Sequence, residues 1–382
     1  MSLRREIAVS RTPMAGLATV GLFWGTFGAC VPDLKAISGL DDRDLGLALL
    51  GSALGGMVSM YLAPRLDAAL GRWMLPVTAL ALLVPLALLS GAGGFAGFAV
   101  AMLTAGLSVA MLDIAANLRV SALETRHGMS LMNVNHAMFS FAFGGAAFCT
   151  GLARKAGLGP VPILAVAGLV VLAMALLMTE RRRVAVPEGA SDGPVTAMPW
   201  LVVILAGWIL LASFMGENAA EAWSALHIER TLGGLDGIGA FGPTMLGLSM
   251  GIVRLMGQGA ARRFGPAALI LASAALGATG ALGLALAGSV SMAVISVAVM
   301  GTGMAVIVPS ANSLLGLLVS PNQRAVALSR AWMIGFLGFF AGPSFMGYVA
   351  EGFGLRWAFG LIALLIALIL PAALVLKRRG AT

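Results

Sequence analysis

Apolar stretches long enough to cross a membrane follow one another along almost the whole chain, with short polar segments between them. Hydrophobic residues make up 59% of the 382 residues and charged residues only 10%, whereas a soluble domain has roughly 25% charged residues. The composition predicts an integral membrane protein and excludes a cytosolic enzyme, a nucleic-acid binder and a disulfide scaffold. The two cysteines, Cys30 and Cys149, fall in apolar stretches, where we expect them in the core.

Windows of about 20 apolar residues predict twelve transmembrane spans. Their approximate ranges are 14–32, 44–63, 74–91, 95–117, 131–153, 160–179, 199–222, 238–258, 266–287, 290–314, 325–350 and 355–376. The alternation that barrel strands show is absent from these windows, and a spanning helix satisfies its own backbone groups. We therefore expect an all-α membrane protein of twelve helices.

Lysine and arginine are concentrated on one side of the predicted spans. With the N-terminus inside, 18 of the 24 basic residues fall in cytoplasmic segments and the other 6 fall on the opposite side. By the positive-inside rule, we expect both termini in the cytoplasm, which requires an even number of spans. Arg4, Arg5 and Arg11 are then cytoplasmic charges rather than part of a cleaved leader. The net charge of +8 reports orientation rather than a nucleic-acid partner.

A longer polar interval at 180–198 separates the first six spans from the last six. Three consecutive arginines, Arg181 to Arg183, are followed by Pro, Glu, Gly, Ser and Asp residues, a composition typical of a flexible linker. We predict an N-terminal six-helix bundle over 1–179, a cytoplasmic linker over 180–198 and a C-terminal six-helix bundle over 199–382.

The two predicted bundles carry matching residues at a nearly constant offset. Three glycines of the second span recur 196 positions later in the eighth: Gly46, Gly51 and Gly55 match Gly242, Gly247 and Gly251. Five residues from the fifth span recur 197 positions later: Gly145, Phe148, Ala153, Gly157 and Leu158 match Gly342, Phe345, Ala350, Gly354 and Leu355. Because six is even, the repeats run parallel, as in transporters with a central site between two halves. The glycine pairs also predict close helix packing.

Two polar segments after the second and eighth spans, Pro64–Arg72 and Gly257–Gly265, occupy equivalent places in the repeat. They are similar to the cytoplasmic gating loop of the major facilitator superfamily, which the chain resembles over its whole length. The first has one extra residue before Gly71, and the second lacks the acidic residue. The resemblance implies gating roles for Asp67 and Arg72.

Three short blocks of polar residues within the spans are similar to a narrower bacterial branch of this superfamily. The blocks are Asp113-Ile-Ala-Ala-Asn117, His136-Ala-Met-Phe-Ser140 and Glu217-Asn-Ala-Ala-Glu221-Ala-Trp223-Ser224-Ala225. Together they resemble inner-membrane permeases that include rhizopine-transport-type proteins. The resemblance implies a multi-pass protein of the bacterial inner membrane, with the first, fourth, seventh and tenth spans around a central cavity.

Ionisable groups inside a span are costly and are therefore the first candidates for function. Among the 16 acidic residues, Asp113, Glu217 and Glu221 lie within or at the edge of a predicted span. Glu217 and Glu221 are four residues apart and share one helix face. Desolvated carboxylates this close together can load and release a proton near neutral pH. We predict proton coupling through these three acids; the alternative for Glu221 is a structural helix cap.

A second polar cluster is predicted where the fourth and fifth spans meet. Asp113 and Asn117 share a face of the fourth helix, and Asn133 and His136 follow one face of the fifth. We interpret the cluster as a substrate site, a proton site or an inner gate. The alternative is a structural hydrogen-bond lock in which Asp113 pairs with Arg119 or His136.

Neutral polar and aromatic residues supply further candidates for binding a solute. We predict that Asn117 and His136 contact the substrate together with Asn312 of the tenth span, Trp24 and Thr26 of the first, and Trp223 of the seventh. The alternative for the tryptophans is a packing or interfacial role. Arg254, at the inner end of the eighth span, is predicted to be a gate or a lipid-headgroup anchor.

These features predict a proton-coupled secondary active transporter that moves a small, sugar-like or polyol-like solute by alternating access. The alternative is a proton-driven exporter of drugs or metabolites, which would need an aromatic-rich cavity around a lone carboxylate. Sodium is the alternative coupling ion, and the short linker and tails disfavour a non-transporting scaffold. No metal-ligand spacing or catalytic arrangement appears, so we expect no enzyme activity, metal or cofactor. We expect a monomer whose partners are its solute, protons and the lipid bilayer.

Overall fold

The computed structural model describes residues 3–180 and 198–379, apart from the side chains at 257–262, 321 and 325. Within these ranges the chain is helical with short connecting turns and contains no β-strand. The prediction of an all-α membrane protein is confirmed. The predicted linker at 180–198 lies, except for its two ends, outside the described residues.

Seven α-helices precede the predicted linker and eight follow it in the described part of the chain. The first seven are α1 Leu3–Ser38, α2 Asp42–Leu70, α3 Met74–Ala81, α4 Leu83–Ser90, α5 Gly94–His127, α6 Met132–Lys155 and α7 Pro160–Leu177. The next eight are α8 Trp200–Leu226, α9 Phe241–Phe264, α10 Pro266–Ala285, α11 Val290–Met304, α12 Ile307–Leu318, α13 Arg324–Phe353, α14 Leu355–Ala367 and α15 Ile369–Arg379. A π-helical turn, His227–Thr231, extends α8.

Eleven helical segments of the described chain are long and apolar enough to cross a membrane. The longest, Asp42–Ser90, has 49 residues and would be about 73 Å long if straight, more than twice the ~30 Å hydrocarbon core. It turns back at Gly71, whose φ of 52° suits glycine. The Gly71 carbonyl accepts from Arg119 near the end of α5, whereas Ala92, beyond Ser90, accepts from Ser38 at the opposite side. Counted as two crossings, this segment gives the predicted twelve.

Several helices continue past the apolar windows that predicted them. Helix α5 ends at His127, ten residues beyond the predicted end at 117, because a helix can continue into water. It stops at Gly128, which has a positive φ of 61°. The Glu124 carboxylate then accepts the backbone N–H groups of Leu131 and Met132 at 2.6 and 2.8 Å, which caps the start of α6.

Glycines bring helix backbones into contact, as the repeat predicted. A β-carbon at Gly55 would overlap the backbone of Leu103, and one at Gly106 would overlap Ser52, so α2 and α5 are in direct contact. Gly247 of α9 lies in the same way against Gly144 of α6. The predicted close packing is confirmed at Gly55 and Gly247.

The helices before and after the predicted linker meet through three pairs: α6 with α9, α2 with α13, and α1 with α8. We call the ends of these helices that the charge bias predicts to be periplasmic the outer ends, and the opposite ends the inner ends. Cys30 is buried inside α1, as expected, whereas Cys149 is exposed on α6. The expectation that Cys149 is a core residue was wrong, because its side of α6 is not covered by another helix.

Candidate functional site

Glu217 lies in the interior part of α8 and faces an arginine of the neighbouring helix α9. Its Oε2 is 3.9 Å from Nη2 of Arg254, and the two side chains are only 18% and 16% exposed. Nη1 of Arg254 donates a hydrogen bond of 2.6 Å to Oγ of Ser140 on α6. Ser140 precedes the predicted linker and Arg254 follows it. Arg254 therefore connects the two predicted bundles next to a carboxylate.

This position corrects the interpretation of Arg254 as a lipid-headgroup anchor. Its guanidinium points inward to Ser140 and Glu217 rather than outward to lipid. The sequence could have predicted this inward position. Arg254 follows Gly247 by seven residues and therefore shares the helix face that packs on α6.

Glu221, one turn after Glu217, is half-buried and interacts electrostatically with Glu217 and Arg254. In the described part of the chain, no hydrogen bond or ion pair reaches its carboxyl group. Its backbone carbonyl lies against Gly28 of α1, where a β-carbon would not fit. The alternative reading of Glu221 as a helix cap has no hydrogen bond to support it.

The predicted cluster between the fourth and fifth spans forms around His136. Its Nε2 lies 3.1 Å from Oδ1 of Asn117, whose Nδ2 donates to the Asp113 carbonyl at 3.0 Å. Asn133 has no hydrogen bond to this group; its neighbour Asn135 is the buried residue of the pair and donates to Ser10. The structure therefore brings together three of the four predicted residues.

The two predicted sites are joined by Ser140. Its hydroxyl donates to the His136 carbonyl at 3.0 Å and accepts from Arg254. These contacts join Asp113, Asn117, His136, Ser140, Arg254 and Glu217 into what we call the polar string. Two of its hydrogen bonds are accepted by the backbone carbonyls of Asp113 and His136 rather than by their side chains. The string crosses from α5 and α6 to α9 and α8 and therefore includes groups of both predicted bundles.

Arg119 is the centre of a group of charged residues at the inner ends, which we call the inner charge cluster and which also contains Asp67 and Glu180. Its side chain is fully buried; it pairs with Asp67 and lies 3.4 Å from Oε1 of Glu180, and its Nη2 donates to the Gly71 carbonyl. The alternative in which Asp113 pairs with Arg119 is therefore wrong. Burial raises the pKa of Glu180 above its ordinary value, although Arg119 acts in the opposite direction.

Of the two predicted gating residues in this region, only Asp67 takes part in the inner charge cluster. Arg72 is exposed, and its guanidinium lies 5.1 Å from the ring centre of Trp73. The basic partner that the sequence analysis missed is Arg119. The sequence did hint at this role, because Arg119 lies two residues after Asn117, at the end of a predicted span. An arginine so close to the membrane interior needs a partner for its charge.

The predicted substrate contacts outside the polar string are dispersed. Trp223 is fully buried in the packing of α8 and does not share the face of Glu217 and Glu221, so its prediction as a residue at the rim of the site was wrong. Thr26 is also buried, and Trp24 packs edge-on against neighbouring rings. Oδ1 of Asn312 accepts from Nε1 of Trp332 at 3.0 Å.

Four aromatic rings that were not predicted as site residues meet between α8 and α13, with Phe214 one helical turn before Glu217. The ring of Phe214 on α8 has its centre 4.5 Å from that of Phe339, 5.5 Å from that of Trp332 and 6.1 Å from that of Phe336, all on α13. We call these four residues the aromatic cluster. The spacing of Trp332, Phe336 and Phe339 by four and three residues could have predicted that these rings share one face of α13.

Arg154 connects three helices at the outer ends. Its guanidinium donates to both carboxylate oxygens of Asp33 at 2.6 and 2.7 Å and to both of Glu229 at 2.7 and 2.9 Å. Asp33 lies on α1 and Glu229 in the π-helical turn after α8. Arg154 is one of the six basic residues that the charge bias assigns to this side, and its partners were not predicted.

Asp42 forms a second ionic contact at the outer ends. Its carboxylate accepts both terminal nitrogens of Arg230 at 2.6 Å and lies 2.7 Å from Nζ of Lys35. Its backbone N–H donates to Glu351 of α13 at 3.1 Å. Glu229 and Arg230 are adjacent in the chain, yet they bind different partners, Arg154 and Asp42. Both partners belong to the part of the chain that precedes the predicted linker.

Among the described residues, no group of three or more His, Cys, Asp or Glu side chains is arranged to hold a metal ion. The polar string and its surroundings form the candidate site: a carboxylate pair, one arginine and neutral polar groups. Groups of these types can bind protons and polar solutes.

The molecule is a polytopic helical membrane protein with a charged interior site, and known proteins are similar to it in sequence and in fold. The model of the Major Facilitator Superfamily matches residues 225–382. An uncharacterized MFS-type transporter of Yersinia pestis is 29% identical, covering 94% of this chain and 93% of its own length. Membrane protein MosC of Rhizobium meliloti is 24% identical, covering 88% and 82%.

Among solved structures, the crystal structure of a D-xylose-proton symporter is similar along 97% of both chains, with a TM-score of 0.70 and 15% sequence identity. At that identity the likeness shows the fold. The chain is therefore similar in sequence and in fold to transporters of the major facilitator superfamily, and the resemblance seen in the sequence is confirmed.

Proposed function

We propose that the protein is a proton-coupled secondary transporter in which Glu217 and Glu221 carry the proton and Arg254 is their counter-ion. The proposal rests on one observation: Arg254 lies between the Glu217 carboxylate and Ser140 of the other predicted bundle. Asp113 is the proposed further proton site at the other end of the polar string.

The proposed coupling is electrostatic. Unit charges 4 Å apart attract by about 4 kcal/mol at an effective dielectric constant of 20, and protonation of Glu217 would remove that attraction. A change of this size alters an equilibrium roughly a thousandfold. It is enough to move Arg254 between Glu217 and another partner, and with it the balance between inward-open and outward-open states.

For the solute, we propose a small polar compound of the sugar or polyol type as the first candidate. Asn117, His136 and Asn312 offer neutral hydrogen-bonding groups, and the relative of similar fold named above is a D-xylose-proton symporter. The second candidate function is a proton-driven exporter of drugs or metabolites. The aromatic cluster beside Glu217 supports it, because such a function needs aromatic surface next to a carboxylate.

Alternating access in this scheme uses the contacts at the outer ends. We propose that the Arg154–Glu229 and Arg230–Asp42 pairs hold the outer side closed and separate when the site opens outward. The moving bodies would be the two bundles at 1–179 and 199–382 of a monomer. The proposed setting is the bacterial inner membrane with both termini in the cytoplasm.

The test uses the purified protein in proteoliposomes, after a thermal-shift screen of sugars, polyols, amino acids and cationic dyes has found a stabilising ligand. We expect Glu217→Gln to abolish uphill transport of that ligand driven by a pH gradient, because the variant cannot change its charge. Exchange of labelled for unlabelled ligand should persist.

The matched control is Asp236→Asn, which neutralises an exposed acid at the outer ends and should transport like the parent protein. Uphill transport by Glu217→Gln at the parental rate would remove Glu217 from the coupling mechanism.

A further inference from the structure

The aromatic cluster lies on the same helix face as the two glutamates. Phe214 precedes Glu217 by three residues and Glu221 by seven, and residues at this spacing lie one above the other on a helix. The rings of Trp332, Phe336 and Phe339 meet that of Phe214 from α13. A wall of four rings therefore adjoins a pair of carboxylates.

The rings are held in place but are not sealed in a core. Trp332, Phe336 and Phe339 each keep part of their surface exposed, whereas Phe214 is 6% exposed. The Trp332 indole is oriented by its hydrogen bond to Asn312 on α12. A fixed aromatic surface of this kind presents its negative π faces to a ligand.

Asn218 adds a hydrogen-bond acceptor at the same place. It follows Phe214 by four residues, and its Oδ1 lies close to Gly342 of α13. This oxygen is buried and accepts no hydrogen bond within the described part of the chain. A buried acceptor without a donor costs free energy, which a ligand N–H group would recover.

We propose that this surface binds an organic ammonium ion, with the apolar or planar body of the ion on the aromatic cluster and its N–H groups on Glu217 and Asn218. Carboxylate, amide oxygen and aromatic faces all attract positive charge. The proposal rests on the proposed function for its proton-carrying carboxylate, and for the solute it favours the second candidate, an exporter, over a sugar or polyol transporter.

The local charges agree with a cationic solute. The charged groups around the Glu217 carboxyl are Arg254 of α9 and Glu221 of its own helix, so two acids face one base. The ion pair with Arg254, at 3.9 Å, leaves Glu217 without a close partner. An ammonium ion would therefore compete with the proton for this carboxylate, and its binding should release protons.

The test is titration calorimetry of the full-length protein in detergent with three probes. They are 2-phenylethylammonium, which has a ring and a charge, 2-phenylethanol, which lacks the charge, and ethylammonium, which lacks the ring. We expect 2-phenylethylammonium to bind at least about tenfold more tightly than either of the others. Of the other two probes, 2-phenylethanol lacks the charge that the carboxylate would bind, and ethylammonium lacks the ring that the aromatic cluster would bind.

Two variants test the ring surface separately, Phe339→Leu and Phe336→Leu. Each should weaken binding of 2-phenylethylammonium by about 3- to 30-fold, the range of a cation–π contact. The control Phe148→Leu removes a more exposed ring from an aromatic pair on α6 and α9 and should bind like the parent protein. Equal affinity in both cluster variants and the parent, or equal binding of the three probes, would overturn the proposal.

Repeating the titrations in buffers of different ionisation enthalpy counts the protons released per cation bound. Weaker binding in the cluster variants without proton release would leave the ammonium site standing and refute proton coupling at Glu217. Proton release with unchanged affinity in the cluster variants would support the coupling and refute the proposed ammonium site on the aromatic cluster.

Discussion

Single buried charges in this protein are paired with groups far away in the sequence. Arg119 shares its guanidinium between Asp67, 52 positions earlier, and Glu180, 61 positions later. The cost of burying an unpaired charge explains this arrangement. It also explains why Arg119, with no exposed surface, matters more to stability than the exposed Arg72 of the predicted gating loop.

We predict that Arg119→Met destabilises the protein by about 3 to 5 kcal/mol, because it leaves two carboxylates without their buried cation. Arg72→Met, the same substitution at an exposed position, should change stability by less than about 0.5 kcal/mol. Thermal unfolding of both variants in the same detergent measures the difference. Equal melting temperatures would show that the inner charge cluster contributes nothing to stability.

At the scale of elements, the outer ends of α1, α6 and α8 are joined by one arginine. Arg154 donates to the carboxylates of Asp33 and Glu229 at once, in two-pronged contacts that fix both the distance and the angle between the helices. Removing the arginine leaves two acids facing each other. The outer closure should then loosen rather than simply lose one contact.

We predict that Arg154→Gln lengthens the distance between the outer ends. Spin labels at Leu158 and Leu235, both exposed, report this distance by double electron–electron resonance once Cys149 has been replaced by serine. The neighbouring Lys155→Gln variant is the control and should give the parental distance. A parental distance in Arg154→Gln would mean that this ion pair does not hold the outer side closed.

At the scale of the whole molecule, the spans and their packing glycines were predictable, but most charged contacts were not. Hydropathy is a property of each residue, so apolar windows predict which segments lie in lipid. The small size of Gly55 is likewise visible in the sequence, and it lets α2 contact α5 closely. The pair of Arg154 with Glu229 joins helices 75 positions apart, and no local pattern specifies which helix a side chain meets. The prediction for Trp223 was wrong for the same reason. Tryptophan is a common residue at the edge of a binding site, but the helix face that carries Trp223 is buried.

The predicted topology can be measured directly. Because the basic residues fall mainly on one side, a green fluorescent protein fused after Thr382 should be fluorescent in cells, and alkaline phosphatase at the same place should be inactive. Alkaline phosphatase fused after Gly157, in the turn between α6 and α7, should be active. Phosphatase activity after Thr382 would contradict cytoplasmic termini and an even number of crossings.

The π-helical turn at the end of α8 has a consequence for how the outer side opens. Its two central charged residues, Glu229 and Arg230, are consecutive in the chain and engage Arg154 and Asp42. A rotation or unwinding of this single turn would displace both residues together, because neither can swing away without moving the other's backbone. We expect the two contacts to fail as one cooperative unit, which would make opening an abrupt step rather than a gradual one.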